Sequence, residues 1–289
     1  MIHTPVLVKE VLEYLNIKEG SKIIDATING GGHTKAILEK FNGVKILGIE
    51  WDPEIFKNLE IEEKRLVKGN DSYVNLKNIA EKYDFYPDGI LFDLGLSSWH
   101  YEHSGRGFSF TRDEYLDMRF NPDSGESDAA KVVNTFSRED LEEIFRKYGE
   151  EQFSSQIADQ IIAKRKVKPI LKTSELVEAV SQSVPEWYKH KKIHFATKTF
   201  QALRVAVNHE LENVEKGVRS AIELLKPGGR LVVISFQGLE DKIVKNIFKD
   251  KAKAGVVKFV VKGTIKPSWE ESQRNPRSRS AKMKVIEKI

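Results

Sequence analysis

Residues 22–34 read Lys22-Ile-Ile-Asp-Ala-Thr-Ile-Asn-Gly-Gly-Gly-His-Thr34. A β-branched run ending in an acid, three consecutive glycines and then a helical stretch from Thr34 to Lys40 describe a buried strand that turns directly into a helix. Glycine tolerates positive φ and lets a ligand approach the backbone, and the first N–H groups of a helix are free to bind it. The strand Lys45-Ile-Leu-Gly-Ile-Glu50 follows, and Asp52-Pro53 caps and opens the next helix. Arg65-Leu-Val-Lys68 and Asp88-Gly-Ile-Leu-Phe-Asp93 read as the third and fourth strands. Strands alternating with helical stretches of about ten residues predict βαβ units, hence a doubly wound, mostly parallel sheet covered on both faces.

Beyond Asp93 the alternation stops. Residues from about 101 to 190 open as a Gly/Ser/aromatic loop and continue as helix, with Leu141, Ile144 and Phe145, then Ile157, Ile161 and Ile162, at amphipathic spacing. Phe200, Leu203, Val207, Leu211 and Val214 recur every three or four residues and predict one further helix. It leads through the turn Lys226-Pro-Gly-Gly229 to the strand Leu231-Val-Val-Ile-Ser235. Val256 to Val261 and Met283 to Ile286 read as later strands. The expected organisation is a sheet domain in two parts, residues 1–105 and 194–289, around a mostly helical insertion at 106–193.

The 289 residues, 40% hydrophobic and 31% charged, suit one large domain or one domain with an insertion. No apolar run approaches the ~20 residues that cross a bilayer, and the start has neither a basic nor an apolar signal region, so a soluble cytoplasmic protein without a membrane partner is expected. There is no cysteine. Disulfide-linked partners, thiolate zinc sites, cysteine-held clusters and cysteine nucleophiles are therefore excluded. No histidine/carboxylate group at metal spacing stands out, so no metal is expected. The formal net charge is +4, but residues 160–204 carry a net +7 and residues 242–289 a net +10, leaving the remainder acidic. Two basic regions suit a polyanionic partner such as nucleic acid, or simply well-solvated lysine-rich helices.

Glu50 ends the second strand, where a carboxylate can hold both hydroxyls of a ribose. The turn does not match the dinucleotide fingerprint, which needs a small residue at Lys35, nor the nucleotide phosphate loop. With Asp25 and Glu50 near it and no added base, it suits an adenosine cofactor without phosphate, such as S-adenosylmethionine. It also suits a turn made tight only for packing. His33, at the positive end of a helix, reads as a neutral helix-start residue or backbone partner rather than a catalyst. Asp93, at the carboxyl end of the fourth strand, is placed either to accept a proton or to cap the following turn.

Taken together, several strings resemble one family nearly end to end. They are His3-Thr-Pro-Val-Leu7, Asp25 to Thr34, Asp93-Leu-Gly-Leu-Ser-Ser98, Arg106-Gly-Phe-Ser-Phe110 and Leu116-Asp-Met-Arg119. Further along come His194 to Arg204, Asn208, Glu210-Leu211, Pro227 to Arg230, Ser235-Phe236, Leu239-Glu-Asp241 and Asn275 to Ser280. The chain resembles the bacterial ribosomal RNA small subunit methyltransferase H (MraW-like) family. These enzymes use S-adenosylmethionine to methylate N4 of a cytidine in the decoding region of 16S rRNA (position 1402 in standard rRNA numbering). The resemblance implies a class I, Rossmann-like methyltransferase sheet with a helical insertion for substrate recognition, acting on 16S rRNA or the small ribosomal subunit.

By position, the resemblance implies cofactor contacts from Gly30, Gly31, Gly32 and His33, the ribose acid at Glu50, and Asp93 beside the transferred methyl group as the catalytic residue. It adds cofactor contacts at Asp71 and His100, where the family usually has an aromatic residue and a glutamine. Gln237-Gly238 replaces the more usual His-Ser, so no catalytic histidine is expected there. Trp99, Tyr101, Phe108 and Phe110 are placed either to stack on an extruded base or to anchor their loop. The basic stretches Lys164 to Lys166, Lys189 to Lys192 and Arg274 to Arg279 would hold phosphates without reading sequence, and Lys198, Arg204, Arg277 and Arg279 are candidate RNA contacts. Methylation at cytosine C5 ordinarily needs a cysteine adduct, which this chain cannot form; amine methylation does not. A DNA amino-methyltransferase is the nearest rival, yet its Asp/Asn-Pro-Pro-aromatic motif is absent, since Leu-Gly-Leu follows Asp93. A methyltransferase for another RNA or for a small molecule, or a non-catalytic RNA-binding protein, complete the alternatives.

Overall fold

The computed structural model describes residues 5–289; His3 and Thr4, part of the first string above, lie outside the described residues. The chain begins with α1 (Val8–Tyr14), β1 (Lys22–Asp25), α2 (Gly32–Lys40), β2 (Lys45–Glu50), α3 (Pro53–Lys57), β3 (Leu66–Asn70), α4 (Leu76–Lys82) and β4 (Gly89–Asp93). A helical series follows: α5 (Ser98–Glu102), α6 (Ala129–Thr135), α7 (Arg138–Gly149), α8 (Ser154–Val167), α9 (Thr173–Ser183), α10 (Glu186–Lys189) and α11 (Thr197–Val207). It closes with α12 (Glu210–Leu224), β5 (Arg230–Ser235), α13 (Gly238–Lys253), β6 (Val257–Phe259), α14 (Trp269–Arg274) and β7 (Lys282–Lys288). Two compact units result: the residues up to Ser97 with Leu211–Ile289, and Ser98–Glu210.

In the first unit seven strands form one sheet in the order β3-β2-β1-β4-β5-β7-β6. The first five are mutually parallel, and β7 runs antiparallel to both β5 and β6. This is the mixed α/β, mostly parallel sheet expected from the sequence. Successive strand residues supply opposite faces, as the period of two requires. Ile24, Leu47, Ile90, Phe92, Leu231 and Val233 pack under α4, α12 and α13, joined by Ile79, Val218 and Phe248. Ile23, Ile46, Leu91, Val232 and Ile234 pack under α1 and α2, joined by Val11, Leu15 and Ile37. The strand order reverses between β1 and β4. At such a reversal the chains leave the sheet in opposite directions and open a crevice outside the strands' carboxyl ends.

The second unit is helical, with α7 packed on α8 and α11, and α8 on α9. Its buried centre includes Leu141, Phe145, Ile157, Ile161, Leu176, Val180 and Leu203. Asp128 and Ser137 cap α6 and α7 by accepting from backbone N–H groups of the first turn. Two expectations are corrected here. The start of the Gly/Ser/aromatic segment is a turn of helix, α5, which carries Trp99 and Tyr101. The single helix expected over residues 200–214 is two, broken at Asn208 and His209, with His209 at φ 50. The Asn208 amide donates to the carbonyls of Met118 at 2.7 Å and Arg204 at 2.9 Å and accepts from the Phe120 N–H at 2.7 Å. A buried amide with all these bonds made outweighs one more helical turn.

Candidate active site at the carboxyl edge of the sheet

Three acids end three neighbouring strands. Glu50 closes β2, Asp25 closes β1 and Asp93 closes β4, and they are 7%, 1% and 7% exposed. Taking a carboxylate out of water disfavours its charged form. Burial therefore pushes Asp93 up to about 7 and Glu50 up to about 8, and it raises Asp25 as well. Glu50 is held by backbone: its two oxygens accept from the N–H groups of Asn29 at 3.0 Å and Asp52 at 2.9 Å. Oδ2 of Asp25 accepts from the Thr34 hydroxyl at 2.7 Å. Among the described residues, Oδ1 of Asp25 and Oδ1 of Asp93 have no hydrogen-bond partner.

The glycine turn sits directly on this edge. Gly31 caps α2 at φ 75, in the left-handed region that disfavours a side chain. A Cβ there would also strike the Ile61 side chain, and one at Gly32 would come within 2.8 Å of the Pro5 ring. Gly31 is thus favoured by its backbone conformation and Gly32 by the Pro5 ring. His33 begins the helix, with Nε2 2.8 Å from the Val6 carbonyl oxygen. A carbonyl only accepts, so Nε2 carries a proton. The other ring nitrogen, Nδ1, lies 3.6 Å from Oδ2 of Asp93. Burial lowers the His33 pKa, opposed by the charge of Asp25.

The remaining sequence candidates divide by unit. In the sheet unit, Gly30 is exposed in the turn, and Asp71 follows β3, its carboxylate accepting from the Ser72 N–H and the Asn75 amide. Arg277 and Arg279 stand exposed near the chain end. In the helical unit, His100 is 3% exposed against the rings of Phe108 and Phe120. Phe108 is buried and stacks on Phe120 at 5.7 Å, so it anchors its own segment. Phe110 stacks face to face on His194 at 4.4 Å, and with Phe195 it lines an open groove of about 440 Å³. Lys198 donates to the carbonyl of Glu150 just past α7.

Arg204 departs from its expected place on an RNA surface. It is 9% exposed, and its guanidinium donates twice to Glu210, at 2.7 and 3.0 Å. The helix break at Asn208 brings these two side chains together, and the pair is interior structure. Sequence reasoning passed over Thr27 and Thr34, whose hydroxyls bond Asp93 and Asp25. A threonine beside a strand-end acid was the available signal. Among the described residues no group of three or more metal-ligating side chains is gathered at one point, and no helix is long and apolar enough to cross a membrane.

A family model described as the MraW methylase family matches residues 1–289. The ribosomal RNA small subunit methyltransferase H of Thermosipho melanesiensis is 44% identical, covering 99% of this chain and 98% of its own length. Proteins of the same name from Dictyoglomus thermophilum and Thermomicrobium roseum are 43% and 42% identical, each covering 99% of this chain and 97% and 94% of their own lengths. Among solved structures, an rRNA methylase from Streptococcus thermophilus covers 98% of this chain and 93% of its own at 11% identity, with a TM-score of 0.42. At that level the likeness adds nothing to the fold read from the strand order.

Proposed function

The chain belongs to the MraW methylase family, and from that premise we propose that it transfers a methyl group from S-adenosylmethionine to N4 of a cytidine in the decoding region of 16S rRNA. The observation that carries the reading is Asp93: a buried carboxyl group at the end of β4, with one oxygen unpartnered among the described residues. The relatives' shared name supports the RNA and the subunit. The absence of cysteine supports the amine over ring carbon C5.

The residues at the sheet edge fit the donor. A cation among the three buried acids would restore their charged forms while a phosphate would oppose them, and side chains at Gly31 and Gly32 would crowd the turn. Gly30 to His33 would approach it through the backbone, and Glu50 would hold its ribose. Asp71 and His100 are included in the proposal as further cofactor contacts, and the helical insertion as the part that recognises RNA. When bound, S-adenosylmethionine supplies a methyl carbon activated by a sulfonium.

The cytosine amine is a poor nucleophile because its lone pair is delocalised into the ring. As a carboxylate, Asp93 accepts a hydrogen bond from that amine, favours a pyramidal nitrogen and then takes the proton. Its burial strengthens the bond by keeping water out. The Thr27 hydroxyl accepts from its backbone N–H at 2.7 Å, which ties down the stretch of backbone that carries the carboxylate. The basic side chains Arg277 and Arg279 hold RNA phosphates.

The test is to incubate the purified protein with S-adenosylmethionine and small subunits, or 16S rRNA, from cells lacking the modification, then digest and identify nucleosides by mass spectrometry. N4-methylcytidine is expected. 5-Methylcytidine, or methylation of DNA alone, overturns the reading.

A further inference from the structure

His33 is buried, 5% exposed, and its two ring nitrogens face different groups. Nε2 donates its proton to the Val6 carbonyl at 2.8 Å. In the neutral ring this leaves a lone pair on Nδ1, which lies 3.6 Å from Oδ2 of Asp93. Two groups with lone pairs and no proton between them repel one another where water cannot screen them. A single proton placed between them removes the repulsion. The Asp93 carboxyl turns on a soft torsion, so a modest rotation would bring the two atoms to hydrogen-bond length with a proton between them.

We propose that His33 is the positioning residue of the methyl-transfer site: its Nδ1 takes over from Asp93 the proton released by the acceptor amine, so the base is the pair and not the carboxylate alone. This rests on the reading of Asp93 as the acceptor at N4. As the amine nitrogen bonds to the methyl carbon, one N–H proton passes to an Asp93 oxygen and its electron pair stays on nitrogen. The pair of the broken carbon–sulfur bond stays on sulfur. The proton then moves from Asp93 to Nδ1, which leaves Asp93 a carboxylate and His33 an imidazolium. It returns to solvent after the products leave.

The surroundings suit that second acceptor. The charges acting on His33 are those of Asp25 on β1 and Glu271 on α14, and the Asp93 carboxyl on β4 lies 3.6 Å from its Nδ1; all three are acids. The Asp25 charge also acts against that of Asp93. Burial and the positive end of α2 oppose an imidazolium, and these acids favour it. The pair therefore holds a proton more readily than an isolated buried histidine would. An Asp93 that gives up its proton at once is ready to stay ionised beside a cationic donor.

Two measurements test this. In cofactor-free protein labelled with ¹⁵N-histidine, the His33 ring nitrogens, assigned by their loss in His33→Gln, are followed against pH. In Asp93→Asn the His33 midpoint is expected to fall by about one pH unit or more, because an anionic neighbour has gone. In His33→Gln, whose amide can still donate to Val6, kcat is expected to fall about tenfold or more, with the pH–rate limb displaced and both KM values nearly unchanged. An unmoved His33 midpoint in Asp93→Asn, or an unmoved pH profile in His33→Gln, overturns the inference. If His33→Gln does not fold, the histidine signal lost in a second variant, His33→Asn, gives the assignment and the midpoint decides. Full turnover by Asp93→Asn would instead overturn the parent reading of Asp93.

Discussion

The backbone N–H of Asp93 donates to the hydroxyl oxygen of Thr27 at 2.7 Å, so a side chain ties the end of β4 to the segment leaving β1. The main-chain ladder reaches only as far as the Ala26 N–H on the Leu91 carbonyl. On this side a single threonine holds the end of β4, while on the other Asp93 pairs with Ile234 of β5 and the Leu94 N–H donates to the Ile234 carbonyl at 2.9 Å. In Thr27→Val the shape is kept and the acceptor is lost, which strands a buried donor. Stability should fall by about 1–3 kcal/mol and kcat with it, measured by thermal unfolding and steady-state kinetics. Unchanged stability with full turnover would contradict this role.

The raised pKa values make stability depend on pH with a definite sign. Asp93 holds its proton more tightly folded than unfolded. Its contribution is therefore fully present below its ordinary value of 3.8 and lost as pH rises through about 7. A shift of that size corresponds to on the order of 4 kcal/mol as an upper bound. Asp93→Asn removes the buried charge, so denaturant unfolding should show the variant more stable than wild type at pH 8. The advantage should shrink toward pH 4, and a pH-independent difference would contradict the burial argument.

Gly32 is predicted to tolerate no side chain. In Gly32→Ala the new methyl meets the Pro5 ring at 2.8 to 2.9 Å. The glycine turn must shift to make room, and calorimetry with S-adenosylmethionine should show affinity reduced tenfold or more, about 1.4 kcal/mol. Gly43→Ala, in a different loop of the same unit, should leave that affinity as it is.

In the helical unit, Arg204→Met leaves Glu210 buried and unpaired, which should cost about 3–5 kcal/mol in unfolding experiments. Adding Glu210→Met should restore most of that loss. If Arg204 were instead a phosphate contact, the single variant would keep its stability and lose RNA affinity.

The sheet was legible because buried parallel strands read as continuous apolar runs: Ile90-Leu91-Phe92 and Leu231 to Ile234 stand out from any helix. The glycine turn and its acids were legible too, since each lies next to a strand end. The break at Asn208 was not. It depends on Met118, 90 residues earlier in the chain, and no local pattern announces that contact. Arg204 followed from the same cause, since only the break brings Glu210 onto its guanidinium. The approach of His33 to Asp93 depends on β1 and β4 being neighbours, which helix and strand periodicity leave undetermined.

The donor is expected at the carboxyl ends of β1, β2 and β4. A crystal structure of the protein with S-adenosylhomocysteine tests it most directly. The expected result is the sulfur beside the Asp93 carboxyl group, with the ribose hydroxyls on Glu50 and the glycine turn against the ligand. A ligand bound elsewhere, or an Asp93 side chain turned away from the sulfur, would contradict it.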